Sequence, residues 1–170
     1  MVFVAAADVG VAGTELPQTL EEDRRLMALL ERLRRSAAVA MGMCASPQTA
    51  AQSVPKIAVV SAPAESILLD GSTVSAGECD IVVRTVSMGI VHRAIPGTAA
   101  LCVATAAGIP GTVIAQVCAP SGGGLRIGTP LGVVTAAADV EQGRESYEVS
   151  SASLFRTARP LMRGEVAVEP

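Results

Sequence analysis

The chain has 170 residues, half of them hydrophobic, and its aromatic side chains are 2 Phe and 1 Tyr. With 13 basic and 16 acidic residues the formal net charge is −3, and no basic stripe is visible, which argues against nucleic acid as a partner. The first residues lack a signal-peptide pattern and no apolar run is long enough to cross a bilayer, so we expect a cytoplasmic protein with no membrane contact.

The length favours a single domain whose core is built from Val, Ala, Leu and Ile, as in α/β or α+β proteins. Cys44, Cys79, Cys102 and Cys118 are widely spaced, and the chain has only 1 histidine. This pattern predicts neither a metal site nor a disulfide framework. We therefore expect no metal or other cofactor, and four reduced, mostly buried thiols.

The first elements are a short strand at Val2–Ala5 and a Gly-rich connection over residues 8–17. Thr19 and Glu22 have the spacing of a capping box, which predicts a helix from there to about Ala40. Its apolar stripe and its charged, solvated face alternate with helical spacing. The stripe is Leu26, Leu29, Leu30 and Leu33, and the charged face includes Glu31, Arg34 and Arg35.

Two strands are predicted next, at residues 57–60 and 81–86, with a turn at Asp70-Gly71 between them. The second has few polar positions, as in a strand covered on both faces. Lys56, at the start of the first, is the only lysine. Such a residue is either a solvated side chain or, less commonly, a desolvated base.

Residues 87–98 form a polar turn that carries the histidine and leads into a helix at residues 99–107, which is apolar enough to be buried on every side. Gly108 can end it in the left-handed conformation, and Pro110 forbids its continuation. The unpaired N–H groups and the dipole of a helix start attract anions. This turn is therefore a candidate anion site.

Beyond Pro110 the pattern predicts strands at residues 112–118, 125–128, 133–140 and 147–155, and a short final strand at 165–168. The glycines at 122–124 lack the GK[ST] ending of a phosphate loop and open no predicted helix. We interpret them as a hairpin loop.

Taken in order, several motifs resemble the PrpF family across nearly the whole chain. They are Val-Phe-Val at 2–4, Gly-Thr-Glu-Leu-Pro at 13–17, Pro-Lys at 55–56, Ser-Met-Gly-x-x-His-Arg-Ala-Ile-Pro-x-Thr at 87–98, Arg-Ile-Gly-x-Pro at 126–130 and Arg-Thr-Ala-Arg at 156–159. Members isomerise small unsaturated polycarboxylates such as 2-methylaconitate, and relatives include methylitaconate isomerases and 4-oxalomesaconate tautomerases. The resemblance implies an α+β, diaminopimelate epimerase-like domain, a curved mixed sheet wrapped round a buried central helix.

Family members have two such domains with the active site between them, and this chain aligns with the second. Residues 1–170 are thus expected to be one domain matching the C-terminal half, with residues 1–17 as the inter-domain strand and connection. The proposed acid/base cysteine and lysine of the family lie in the first domain. None of the four cysteines here, nor Lys56, matches them, so the resemblance assigns no catalytic residue to this chain.

What it does assign is substrate binding at the start of the central helix: Ser87, Met88, Gly89, His92, Arg93, Pro96 and Thr98. An allylic proton shift leaves an enolate-like carboxylate, which backbone N–H groups and a hydroxyl can stabilise. His92 or Arg93 can add a charge-assisted bond. Thr98 is equally well read as a helix cap, and His92 as a structural hydrogen-bonding residue that holds the turn.

The chain departs from the family pattern at four positions. Gly97 and Ala99 stand where a larger apolar residue and a glycine are usual. Thr129 and Leu131 replace a histidine and a serine, so a loop expected to face the cleft becomes less polar. These departures put the usual tricarboxylate specificity in question.

Three functions are consistent with this sequence. The first is the C-terminal half of a PrpF-like isomerase, which binds a small di- or tricarboxylate and is catalytic only when a first domain is supplied by another chain or by a longer parent. The second is a non-catalytic remnant or stand-alone carboxylate-binding module, and the third is an unrelated small-molecule binding protein. Because the surface that meets a first domain would be exposed, a homo-oligomer is expected in either of the first two cases.

Overall fold

The computed structural model describes residues 1–144, 146–158, 160–165 and 167. Its helices are α1 (Pro17–Glu22), α2 (Arg24–Ala40), α3 (Gly97–Ala107) and α4 (Val113–Val117). Its strands are β1 (Val2–Ala5), β2 (Ile57–Ser61), β3 (Ser66–Ile67), β4 (Thr73–Val74), β5 (Ile81–Ser87), β6 (Ile90–Val91), β7 (Leu125–Thr129), β8 (Gly132–Gln142) and β9 (Tyr147–Leu154).

The main sheet has the strand order β1-β2-β5-β7-β8-β9, and β6 pairs with the end of β5. The β1/β2 and β5/β7 pairs are parallel, and the other pairs are antiparallel. β3 and β4 form a separate two-stranded hairpin. The sheet is therefore mixed, as expected from the resemblance.

This sheet curls round α3, which packs against strands from β2 to β9. The buried cluster contains Val103 and Ala100 of α3 together with Ala58 of β2, Val83 of β5 and Ile127 of β7. Small side chains on α3 allow this close approach of helix and sheet. The α+β fold with a central helix is confirmed, but α3 is not buried on every side, since Thr98 and Cys102 are exposed.

A second core lies on the other face of the sheet, where α1 and α2 cover β1, β2 and β5. It joins Leu20, Leu26 and Leu30 of the helices to Ile57 and Val59 of β2. β2 and β5 are thus covered on both faces, which explains their continuous apolar sequences.

The single helix predicted from Thr19 to Ala40 is two helices in the structure. Asp23 breaks it, and its carboxylate accepts hydrogen bonds from the backbone N–H groups of Arg25 and Leu26 at 3.0 and 2.9 Å. Asp23, and not Thr19, is therefore the cap of the long helix. Arg34, predicted on the solvated face, is 1% exposed.

The strand predicted at residues 112–118 is wrong, because this apolar run forms α4. Thr112 caps it by accepting a hydrogen bond from the Ala115 N–H at 3.1 Å and anchors it by donating one to the Ala106 carbonyl at 2.6 Å. Periodicity alone does not separate a short apolar helix from a buried strand. Consequently the glycines at 122–124 connect α4 to β7 and are not a hairpin loop.

Two smaller expectations also differ from the structure. Gly108 has a φ of −80°, so the left-handed glycine after α3 is Gly111, at 84°. Of the four cysteines, all of them free, only Cys79 is buried. The final strand predicted at 165–168 falls partly outside the described residues. Within the described part of the chain, no helix combines the length and apolarity that crossing a bilayer requires.

Candidate functional site at the start of the central helix

The β5–β6 hairpin presents the first three predicted site residues. Ser87 ends β5 opposite Ile90, and the turn between them consists of Met88 and Gly89, with φ values of 55° and 78°. Two successive left-handed residues are the geometry of a tight hairpin turn, in which glycine is favoured and methionine is uncommon. Met88 is 65% exposed, so this turn projects from the body of the protein.

His92 follows the hairpin and extends its ladder, with its backbone N–H donating to the Thr85 carbonyl at 2.8 Å. The ring atom Nε2 is buried without a hydrogen-bond partner among the described residues. Burial, and secondly the positive charge of Lys56, lower the pKa of His92 below its usual value of 6.5. The imidazole is therefore mostly neutral at pH 7, and the charge-assisted bond considered from the sequence is not expected from it.

The first turn of α3 is open. Pro96 occupies the N-cap position without a side-chain capping bond, and its carbonyl accepts from the N–H groups of Ala99 and Ala100 at 2.8 and 3.0 Å. The N–H groups of Gly97 and Thr98 have no acceptor in the described part of the chain. Thr98 is exposed and lies inside the helix, so it is not the cap. Two free amides and the helix dipole thus face outward.

Two polar side chains of β5 lie on the face of the sheet that packs against α3. Thr85 pairs with Ala58, which packs in the α3 core. Because side chains alternate along a strand, Thr85 and Ser87 lie on that face. They are 3% and 5% exposed, and the Thr85 hydroxyl has no hydrogen-bond partner among the described residues.

A cavity of about 210 Å³ lies along the first turns of α3. It is lined by Met1, Met43, Val54, Pro55, Lys56, Thr98, Ala99 and Cys102. Of the seven predicted residues, Thr98 lines it. Met88 and Gly89 instead line a separate cavity of about 210 Å³ beside α2, with Glu31, Arg35 and Gln52. Arg93 is exposed, and Pro96 is half-buried.

The end of β9 reaches the same helix start. A Cβ atom at Gly97 would lie 3.2 Å from Cδ2 of Leu154, so the helix and β9 are in close contact there. A third cavity, of about 490 Å³, follows along the end of this strand and the start of β8. Its lining includes Phe155, predicted as the end of a strand, and Arg156 and Thr157, which belong to the Arg-Thr-Ala-Arg motif.

Two positions where the chain departs from the family pattern form a turn between β7 and β8. The Thr129 hydroxyl donates to the Gly132 carbonyl at 2.8 Å and is 3.3 Å from the N–H of Leu131. Thr129 is 2% exposed, whereas Leu131 is 59% exposed. The threonine hydroxyl is thus committed to the turn itself.

The sequence missed Lys56 and Thr85 as neighbours of this site. The signal for Lys56 was available in the alternation of β2: it lies two residues before Ala58 and so shares the face that packs against α3. That the start of β2 lies beside the start of α3 is a tertiary relationship, which alternation alone does not provide.

A family model described as "PrpF protein" matches residues 1–169. The chain is 37% identical to 3-methylitaconate isomerase of Eubacterium barkeri, over 99% of this chain and 45% of that protein. It is 38% identical to 2-methyl-aconitate isomerase of Shewanella oneidensis, over 98% of this chain and 43% of that protein. It is 33% identical to (4E)-oxalomesaconate Delta-isomerase of Novosphingobium, over 98% of this chain and 43% of that protein.

Among solved structures, a methylitaconate-delta-isomerase superimposes with a TM-score of 0.80 and 34% identity, over 91% of this chain and 42% of that one. The chain spans less than half the length of the curated relatives it matches. The match nevertheless covers the sheet, the central helix and the hairpin described above, and this chain belongs to the PrpF family.

Proposed function

We propose that this chain is the C-terminal half of a PrpF-like isomerase, which binds the carboxylates of a small unsaturated di- or tricarboxylate while a first domain moves the proton. In this proposal residues 1–170 are one domain, and residues 1–17 connect it to the first. The relatives named above are isomerases that are named after unsaturated carboxylic acids. Each extends well beyond the part matched here, which leaves room for proton-transfer residues elsewhere.

The observation that carries the proposal is the open first turn of α3. The amides of Gly97 and Thr98 have no acceptor in the described structure, and the Thr98 side chain is exposed beside them. Moving a proton across an allylic system places negative charge on the carboxylate conjugated with it. Preorganised N–H donors stabilise such charge without having to reorient, which is the largest contribution in many enzymes.

The other predicted residues have supporting roles in this proposal. His92, being mostly neutral, donates or accepts a hydrogen bond through its unpaired Nε2. Ser87 lies on the α3 face of the sheet, the Met88-Gly89 turn lines the separate cavity beside α2, and Pro96 fixes the backbone before the two free amides. Arg93 is an exposed cation five residues before Thr98. Free cysteines are in keeping with a reducing, cytoplasmic location.

A non-catalytic, carboxylate-binding module is the second candidate, and one observation favours it. The two buried clusters, one round α3 and one under α1 and α2, are both formed by residues of this chain. A chain with its own cores can fold and bind an anion without a first domain.

The test has two arms. In the first, tricarballylate, a saturated tricarboxylate, is added to the ¹⁵N-labelled chain; we expect the Gly97 and Thr98 amide signals to shift, whereas the uncharged tricarballylamide leaves them in place. In the second, solvent-deuterium incorporation into 2-methylaconitate is followed with the chain alone and with a separately produced first half of a relative.

Exchange in the mixture and not in the chain alone supports the half-enzyme. Amide shifts without exchange in either sample support the binding module. If the Gly97 and Thr98 signals do not respond and neither sample incorporates deuterium, the carboxylate site itself is wrong.

A further inference from the structure

We propose that Lys56 is a carboxylate-binding residue of this chain, which pairs with one carboxylate of the acid whose other carboxylate meets the first turn of α3. This inference deepens the proposed function and rests on it. The family resemblance gave Lys56 no role, and the sequence favoured a solvated side chain.

The first argument is position. Lys56 and Thr98, the second residue of α3, line the same cavity of about 210 Å³. The backbone fixes this arrangement: the Lys56 carbonyl accepts from the Val2 N–H at 2.8 Å, and the next residue, Ile57, pairs with both Val2 and Val86. Alternation then directs Lys56 to the α3 side of the sheet.

The second argument is the lack of a counter-charge. Lys56 Nζ donates to the Ser53 carbonyl at 3.5 Å, a long hydrogen bond. The ion pairs in the described part of the chain join Arg34 and Arg35 to Glu31, and Arg126 to Asp80; none involves Lys56. A lysine and the positive end of a helix that line one space favour an anion between them.

The third argument is independent of the helix. Thr85, 3% exposed and on the same sheet face, has a hydroxyl without a partner among the described residues. Buried polar groups are normally paired, so each exception requires an explanation. His92 Nε2 is a second such atom on the same ladder. Neither residue lines the cavity itself, so these atoms are unused polar groups on the same sheet face as Lys56 and not direct contacts of the acid.

The fourth argument is size. The space of about 210 Å³ is many times what a single water molecule needs. This accommodates a carboxylate and its methylene arm, with the rest of the acid at the open side. The apolar wall from Val54, Pro55 and Met43 suits the methylene groups, which limits the charged contacts to Lys56 and the helix start.

The segment before Lys56 is held in place from behind. The guanidinium of Arg34 donates to the carbonyls of Ala51, Val54 and Pro55 at 2.7, 3.3 and 3.4 Å. The cavity wall formed by Val54 and Pro55 is therefore anchored to α2. A fixed wall reduces the ordering cost of binding a small ligand.

Because Lys56 is the only lysine and His92 the only histidine, both can be observed individually. The full chain is reductively dimethylated with ¹³C-formaldehyde, which keeps the positive charge and labels Lys56 and the terminal amine, two signals separable by their pH dependence. Tricarballylate is then titrated. We expect the Lys56 methyl signal to shift with the same dissociation constant as the Gly97 and Thr98 amides.

The variants are Lys56→Met, Lys56→Arg and, as a matched control, Arg32→Met, an exposed cation on α2. We expect affinity to fall about ten-fold or more in Lys56→Met, to stay within a few-fold in Lys56→Arg, and not to change in Arg32→Met. Circular dichroism and thermal unfolding establish that each variant is folded.

The outcomes separate the two proposals. If the Gly97 and Thr98 amides respond equally in wild type and Lys56→Met, and the Lys56 signal does not move, the role of Lys56 is refuted while the proposed function stands. If no signal responds in any folded variant, both are refuted.

Discussion

Arg34 Nη1 lies 2.7 Å from the carbonyl oxygen of Ala51, so a side chain of α2 fixes the backbone that leads to Lys56. The other N–H groups of this guanidinium donate to the Glu31 carboxylate, from Nε at 2.7 Å and from Nη2 at 2.9 Å. The helix therefore does more than cover the sheet, because it also holds one wall of the candidate site.

Arg34→Met should lower the free energy of unfolding by about 2–4 kcal/mol, because three carbonyl oxygens lose their donor and Glu31 loses a partner. Urea denaturation measures this loss. Arg32→Met, at an exposed position of the same helix, should change stability by no more than about 0.5 kcal/mol. Equal effects of the two substitutions would show that the contacts of Arg34 contribute nothing specific.

The same cluster should make stability depend on acid pH. The hydrogen bond from Arg34 is the largest cause that lowers the pKa of Glu31 from 4.5 to about 2. A lowered carboxyl pKa stabilises the folded state above the unfolded value, and this stabilisation is lost as the pH falls from about 4.5 towards 2. In Glu31→Gln, the difference from wild type in unfolding midpoint should therefore shrink over that interval; a constant difference would contradict the assignment.

His92 should titrate below pH 6.5 in the folded chain, since burial and then the Lys56 charge lower its pKa. Lys56→Met removes the second cause and leaves the first, so the pKa of His92 should rise in that variant while staying below its ordinary value. The ring proton signals, followed by NMR against pH, measure both. Lys56→Arg is the charge-preserving control, and a His92 pKa that is the same in all three proteins would place the lysine too far away to matter.

Gly97 should tolerate only small side chains, because a Cβ atom added there would lie 3.2 Å from Leu154 Cδ2. Gly97→Leu should cost about 1–3 kcal/mol by pushing the end of β9 away from α3. Gly77→Leu is the control, since a Cβ at Gly77 has no atom within 4 Å in the described structure. Thermal unfolding of the two variants compares them directly, and a Gly97→Leu protein as stable as the control would show that β9 yields without cost.

Secondary structure was predictable where pattern and boundary signals agreed. β1 was predicted with its observed bounds, and the bounds of β2, β5, β7, β8 and β9 were predicted to within about two residues. An apolar run between turn residues is typical of a strand. The central helix was also predicted, ending before Gly108 and Pro110. Failures occurred where one local pattern fits two structures: Asp23 caps the N–H groups of Arg25 and Leu26 and so breaks the long helix, and α4 forms from a run that reads equally well as a strand.

The candidate site was likewise predictable only in part. The structure starts the helix at Gly97, two residues earlier than predicted, and leaves Thr98 exposed inside it. That a polar turn precedes the helix follows from the order of residues 87–98. That Met88 and Gly89 line a different cavity from Thr98 does not, since it depends on where α2 and the segment at 51–55 pack.

The sequence by itself determined the family, the apolar central helix and the polar turn before it, because periodicity and residue type are local properties of the chain. Only the tertiary structure decided that Lys56 and Thr98 line one cavity and that Arg34 is buried against the segment before Lys56. These relationships join residues more than 15 positions apart, and their energies come from packing and desolvation, which no local pattern records.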